Sequence, residues 1–228
     1  NRTMPDGTWK KDFSPEWIRS ACEASLKRLQ TDYIDIYLYH TPRGEMAFIP
    51  EEFDVLRQLQ QEGKIRHYGI SVDTVADGMK TLAYPDNAEG IQVVYNILER
   101  EAELEFFPKA RQLGVGIIAR VPLASGFLTG KYTADVTFPP NDHRSRIPRD
   151  VIEQRVNQVE KLRELIADDD RTLAQLALQF CLAHPAVSTV IPGAKTPEQL
   201  ADNARAGELP PLTDDERNRI RDLFPLKS

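Results

Sequence analysis

Apolar and polar positions along the chain follow two alternating periods. SPEWIRSACEASLKRL (14–29) opens on a serine cap with Pro15 at the first helical position and Glu16 in the first turn. Apolar or small residues then recur at Trp17, Ile18, Ala21, Ser25 and Leu29, which predicts an amphipathic helix. IDIYLYH (34–40), β-branched and aromatic and ended by Thr41-Pro42, predicts a strand. Further strands are expected at 65–71, 91–96, 115–123 and 187–193, with helices at EEFDVLRQLQQEG, VADGMKTLA, EAELEFFPKARQLG, 151–167, 173–183, TPEQLADNARA and TDDERNRIRDLF. The first dozen residues read as a polar loop. Residues 125–148 read as a second, long one, and loops of that length inside compact domains usually carry function.

Helices that alternate with strands imply parallel pairing through right-handed crossovers, hence an α/β fold. No GxGxxG follows any strand, which argues against a doubly wound dinucleotide sheet. The other architecture of this class is the (β/α)8 TIM barrel, of which the chain represents about five βα units.

Composition narrows the function classes. With 41% apolar and 28% charged residues over 228 positions, the chain reads as one globular domain spanning 1–228. The net charge of −6 is scattered, so no nucleic-acid partner is expected, and no apolar run is long enough for a membrane-spanning helix. Cys22 and Cys181 each lie in an apolar-patterned segment and read as buried reduced thiols, with no metal site and a cytoplasmic setting expected.

The segments IDIYLYHTP, EGKIRHYGIS, IQVVYNILER, LGVGIIARVPLASGFLTGKY and STVIPGAKTPEQLADN, in this order and spacing, resemble the aldo-keto reductase family across nearly the whole chain. The resemblance implies a TIM barrel that binds a nicotinamide cofactor, usually NADPH, and reduces a small aldehyde or ketone. The matched segments correspond to the family's fourth to eighth strands. The first three βα units, with the family's catalytic Asp, Tyr and Lys, are therefore expected to lie outside this chain, and the chain alone is expected to be inactive. Tyr33, Tyr37, Tyr39, Tyr68 and Tyr95 do not stand in the family's catalytic tyrosine context. Potassium-channel β subunits resemble the family too, which leaves a nucleotide-binding regulatory subunit, or an inactive fragment, as alternatives.

Residue by residue, the resemblance puts His40 at the catalytic histidine position, where an imidazole at a strand end can orient a carbonyl oxygen. Ser71 and Gln92 fall where a hydroxyl and a side-chain amide hold the nicotinamide carboxamide. Val72 departs from the family's usual Asn. Arg120 stands where an aromatic ring commonly stacks on the nicotinamide; its flat guanidinium could stack as well, or pair with a carboxylate as a structural residue. Val121, Leu123, Ser125, Gly126 and Lys131, with Arg146 further on, form the expected pyrophosphate clamp of freed backbone N–H groups and cations. Gly193, Lys195, Thr196, Gln199 and Asn203 fall at the adenosine-phosphate positions, Lys195 favouring NADPH over NADH, although Gly193-Ala194 departs from the family's Lys-Ser pair. Read without the resemblance, the same loop and helix start are an ordinary glycine-containing loop and a capped surface helix.

Overall fold

The computed structural model describes residues 2–3, 6–42, 44, 46–166 and 170–226. Two compact units divide the chain: Asn1–Val93 with Glu103–Ile118, and Val94–Ala102 with Ala119–Ser228.

The first unit opens differently from expectation. Instead of a plain loop, β1 (Arg2–Thr3) and β2 (Trp9–Lys10) pair antiparallel. The turn between them is held by Asp6, whose Oδ1 accepts from the Thr8 N–H at 2.9 Å and the Thr8 hydroxyl at 2.6 Å. Helix α1 (Pro15–Leu29) follows and buries Ile18, Cys22 and Leu26, one residue per turn along the i, i+4 row. That corrects the expected stripe: Leu29 closes the helix 63% exposed, because its position lies off that row.

The chain then runs β3 (Ile34–His40), α2 (Asp54–Gln61), β4 (Ile65–Ser71), α3 (Val75–Thr81), β5 (Gly90–Val94), α4 (Phe106–Leu113) and β6 (Gly116–Arg120). β3, β4 and β5 pair parallel in that order, with β6 next in the sheet. Register partners are Leu38 with Gly69, His40 with Ser71, Gly69 with Gly90, and Ser71 with Gln92. Gly69 is required here, since a Cβ would sit 1.8 Å from the Gly90 carbonyl oxygen. Strand alternation puts Ile36, Leu38 and His40 on one face together with Ser71 and Gln92. That face is open at Ile36, 48% exposed, and at His40. Tyr39, Tyr68, Ile70, Ile91 and Val93 belong to the opposite, buried face. There the Tyr39 ring meets Phe53 at 5.5 Å, and Leu56, Leu59, Phe106 and Phe107 complete the core.

β5 and β6 end earlier than the apolar runs suggest. After Val94, Asn96 turns the chain by accepting the N–H groups of Leu98 and Glu99, and after Arg120 the backbone of Val121 is left-handed at φ 56°.

The second unit begins its sheet contribution with Ala119 and Arg120 at the end of β6, and β7 (Val187–Ile191) stands next in the sheet order. Its helices are α5 (Arg149–Leu165), α6 (Leu173–Leu182), α7 (Pro197–Arg205) and α8 (Asp214–Leu223). α6 is buried almost throughout and starts in a reciprocal Thr172–Gln175 cap. The Gln179 amide donates to the carbonyls of Ala206 at 3.1 Å and Pro210 at 2.9 Å, so a polar residue in this helix is bonded to the segment after α7. No helix among the described residues is long and apolar enough to cross a membrane.

Candidate functional site

In the first unit, parallel register brings His40 and Ser71 level at adjacent strand ends and Ser71 level with Gln92. The Ser71 hydroxyl donates to Gln92 Oε1 at 3.0 Å. The backbone around them is fixed: Thr41 N–H donates to Ser71 O and Val72 N–H to Gln92 O, both at 2.9 Å. Ser71 is buried, Gln92 half-buried and His40 exposed.

The strand tyrosines are committed elsewhere. Tyr39 donates its hydroxyl to Glu52 O and Tyr68 to Asp86 O, each at 2.8 Å, away from the face of His40. Burial pushes the hydroxyl of Tyr37 up to about 12 and that of Tyr39 higher still, so neither gives up a proton readily.

A cleft of about 670 Å³ opens where the segment between β2 and α1 faces the loop after β3; Lys10, Phe13, Met46 and Glu51 are among its walls. Lys11, also in its wall, donates its ammonium to Thr41 O, immediately after His40. No motif or period in the sequence marks these residues, which the fold brings together from the segment between β2 and α1 and the loop after β3.

In the second unit, Arg120 is half-buried at the end of β6, and its carbonyl accepts the Tyr95 N–H at 3.2 Å. Beyond it Val121, Ala124 and Ser125 all have left-handed backbones, and Gly126 follows at φ 92°, where the missing Cβ is needed. The Leu123 carbonyl accepts from Gly126 N–H at 2.8 Å and Leu128 N–H at 3.2 Å, closing a tight turn. Lys131 is exposed, its ammonium 5.1 Å from the Tyr132 ring centre. Arg146 is exposed as well, whereas Arg144 is anchored: it pairs with Asp142 at 2.5 Å and donates to Ser125 O at 3.3 Å. Asn96 was likewise not anticipated; its amide donates to Val121 O at 3.1 Å. The Asn-x-x-Glu turn and the Asp-x-Arg spacing are the local signals that could have marked Asn96 and Arg144.

The start of α7 also lies in this unit. Thr196 caps it by accepting the Gln199 N–H at 3.3 Å, while Gln199 Oε1 accepts the Lys195 N–H at 2.8 Å. The Asn203 amide reaches back to Gly193 O at 3.5 Å. Among the described residues the Lys195 ammonium has no hydrogen-bond or ion-pair partner, and it is exposed.

The sequence-derived residues therefore gather into a strand-end set (His40, Ser71, Gln92) in the first unit and, in the second, a turn after β6 and the N-terminal end of α7. The Ser71–Gln92 pair offers one acceptor and one donor, the match for a carboxamide. The turn and the helix start stand beside the exposed ammoniums of Lys131 and Lys195, which suit an anion such as a phosphate. Among the described residues there is no cluster of His, Cys, Asp or Glu able to hold a metal ion.

Residues 1–224 match the model of the aldo/keto reductase family. The NADH-specific methylglyoxal reductase of Escherichia coli K12 is 34% identical over 201 residues, covering 86% of this chain and 61% of that protein. A probable voltage-gated potassium channel subunit beta of Arabidopsis thaliana is 30% identical over 213 residues, covering 89% of this chain and 65% of that protein. Among solved structures, the glycerol dehydrogenase AKR11B4 of Gluconobacter oxydans superposes with a TM-score of 0.81 at 28% identity, covering 94% of this chain and 65% of that one. The holo form of the aldo-keto reductase AKR11C1 of Bacillus halodurans gives a TM-score of 0.73 at 36% identity, covering 95% and 70%. The chain thus spans about three fifths of the length of the first curated relatives it matches.

Proposed function

The chain belongs to the aldo/keto reductase family, and we propose that it serves the NADPH-dependent reduction of aldehydes or ketones to alcohols. The observation that carries this reading is the Ser71–Gln92 hydrogen bond, set level with His40 at the ends of adjacent parallel strands. Ser71 and Gln92 would hold the nicotinamide carboxamide. Arg120, Val121, Leu123, Ser125, Gly126, Lys131 and Arg146 would attend the nicotinamide and the pyrophosphate, and Gly193, Lys195, Thr196, Gln199 and Asn203 the adenosine phosphate. When bound, the reduced nicotinamide supplies the hydride.

His40 orients the carbonyl. Its exposed imidazole donates an N–H to the substrate oxygen and stabilises the charge that grows there as the carbon is reduced.

The alkoxide also needs a proton. Tyr39 and Tyr68 have their hydroxyls on backbone carbonyls of the opposite face, so neither of these two would supply one. On this reading the chain by itself is expected to bind the cofactor without turning over a carbonyl.

The proposed preference for NADPH rests on Lys195, a cation beside the start of α7 without an ion-pair partner among the described residues. The reading is tested by titrating the chain with NADPH and with NADH, following nicotinamide fluorescence. Saturable binding, tighter for NADPH, is expected. Failure to bind either nucleotide would overturn it.

A further inference from the structure

We propose that Arg144 is a positioning residue that holds the Ser125–Gly126 turn in its left-handed shape and thereby sets how fast a bound nucleotide leaves. The proposal rests on the reading of that turn as a phosphate cradle.

Three non-glycine residues within five positions, Val121, Ala124 and Ser125, have positive φ, at 56°, 46° and 57°. L-residues avoid this region, so such a run persists only where neighbouring groups hold it. On the Val121 side the holder is Asn96, through Val121 O. On the Ser125 side Arg144 holds the backbone, through Ser125 O at 3.3 Å, while the exposed His143 reaches only the side chain, its Nε2 3.4 Å from Ser125 Oγ.

Arg144 is itself fixed on every side. Its Nε and Nη2 donate to the two Asp142 carboxylate oxygens at 2.9 and 2.5 Å, and Nη1 also donates to the Tyr132 hydroxyl. The guanidinium lies 4.5 Å from the Phe138 ring centre, and Phe138 packs edge-on against Tyr132 and Phe127. The arginine and aspartate side chains are only 15% and 20% exposed. Asp142 also accepts the Arg144 backbone N–H at 2.9 Å, so the carboxylate orders the segment that carries its partner.

This bonding distinguishes Arg144 from a direct phosphate ligand. A guanidinium has five N–H groups, and four are already directed at protein acceptors, leaving one on Nη2. Among the described residues, the exposed Lys131 and Arg146 near this segment have no ion-pair partner and can meet an anion. Arg144 instead acts through Ser125 O. A turn already in shape loses less conformational freedom when phosphate arrives, and that gain shows mainly in dissociation. Lysine cannot substitute, because one ammonium cannot bridge the Asp142 carboxylate, Ser125 O and the Tyr132 hydroxyl in the planar fork that arginine provides.

The test begins with cofactor-free protein. Hydrogen exchange is followed at the N–H groups of Gly126, Leu128 and Gly130, which are bonded to Leu123, Leu123 and Phe127 carbonyls. Arg144→Ala and Arg144→Lys should both speed it about tenfold or more, and Asp142→Asn less, in proteins that melt within a few degrees of the parent. NADPH should dissociate about tenfold faster from the two Arg144 variants, corresponding to about 1.4 kcal/mol. If Arg144→Ala fails to fold, Arg144→Lys and Asp142→Asn carry the test. The two possible failures are distinguishable. A wild-type turn whose exchange NADPH leaves unchanged overturns the phosphate reading, and with it the functional half of the proposal. A turn that NADPH protects in the wild type, with exchange and dissociation the same in the Arg144 variants, overturns the role of Arg144 alone.

Discussion

The Ser71 hydroxyl donates to Gln92 Oε1, and that single hydrogen bond decides what each side chain can offer a ligand. With its proton directed at Gln92, Ser71 presents lone pairs. With its oxygen occupied, Gln92 presents N–H groups. The pair is therefore polarised toward a group carrying one donor and one acceptor, as a carboxamide does.

Replacing Gln92 by Glu tests this polarity with almost no change of shape. The carboxylate still accepts from Ser71 but has no N–H to give, and it faces the carboxamide oxygen with like partial charge. Leaving the carboxamide oxygen unsatisfied costs roughly 1–3 kcal/mol, so nicotinamide nucleotide affinity should fall about five- to a hundredfold. Titration by nicotinamide fluorescence reads it directly. An unchanged dissociation constant would mean that Gln92 does not meet the cofactor.

His40 is expected to act on the transition state and hardly at all on binding. Removal of one donor to a developing oxyanion typically lowers kcat about 10²-fold, and His40→Ala in a preparation active on a carbonyl should do the same with nucleotide affinity unchanged. Stopped-flow measurement of hydride transfer separates the two quantities. If binding collapses and the transfer step does not slow, the imidazole is holding the strand end and has no part in the chemistry.

The legible parts of this molecule are those governed by periodicity. β3 and β4 stand where alternation and β-branching put them, at Ile34–His40 and Ile65–Ser71, and the parallel register that follows makes His40, Ser71 and Gln92 neighbours. Parity along a strand is a local property, so it survives without knowledge of the rest. The stripe of α1 was harder to read, because Trp17, Ala21 and Ser25 pattern almost as well as Ile18, Cys22 and Leu26, and only packing selects the buried row. What Arg144 and Asn96 hold is illegible for another reason, although the Asp-x-Arg and Asn-x-x-Glu spacings mark the residues themselves. Each acts on a carbonyl about twenty residues away in sequence, and the left-handed turn they hold is not encoded by composition, since Val121, Ala124 and Ser125 are poor residues for it. Arg146, two residues on and chemically identical, is solvent-exposed.

Alkaline pH should expose the buried tyrosines of β3. Desolvation raises Tyr37 from 10.0 to about 12 and Tyr39 further, so in the folded chain both remain neutral at pH values where an unfolded tyrosine ionises. A raised folded value means a stabilising contribution that is complete below about pH 10 and is lost as pH climbs through the folded values. Denaturant midpoints should therefore fall from about pH 10 upward. Tyr37→Phe should flatten that decline. Phenolate absorbance supplies the second check: of the seven tyrosines, these two should ionise only near or beyond pH 12 or together with unfolding. Full titration of all seven below pH 11 in protein that stays folded would contradict the buried placement.

On the proposed reading, discrimination between the two nicotinamide nucleotides comes down to one phosphate, and Lys195 is the cation that would read it. Its backbone is already fixed, because the Lys195 N–H donates to Gln199 Oε1 and Thr196 caps the helix one residue later. Its ammonium remains uncommitted among the described residues. The N-terminus of α7 adds a favourable field for an anion, but that field acts on any phosphate nearby and does not by itself distinguish NADPH from NADH. Lys195→Ala should therefore weaken NADPH about ten- to a hundredfold, the worth of one charge-assisted hydrogen bond, and leave NADH nearly unchanged. Lys195→Arg keeps the charge and should retain most of the preference. Salt provides an independent reading: the difference between the nucleotides should shrink as ionic strength rises in the parent and be nearly flat in Lys195→Ala, because an exposed cation is screened. Equal losses for both nucleotides would show that Lys195 steadies the helix start through its backbone, with Thr196 and Gln199, and takes no part in reading the 2′-phosphate.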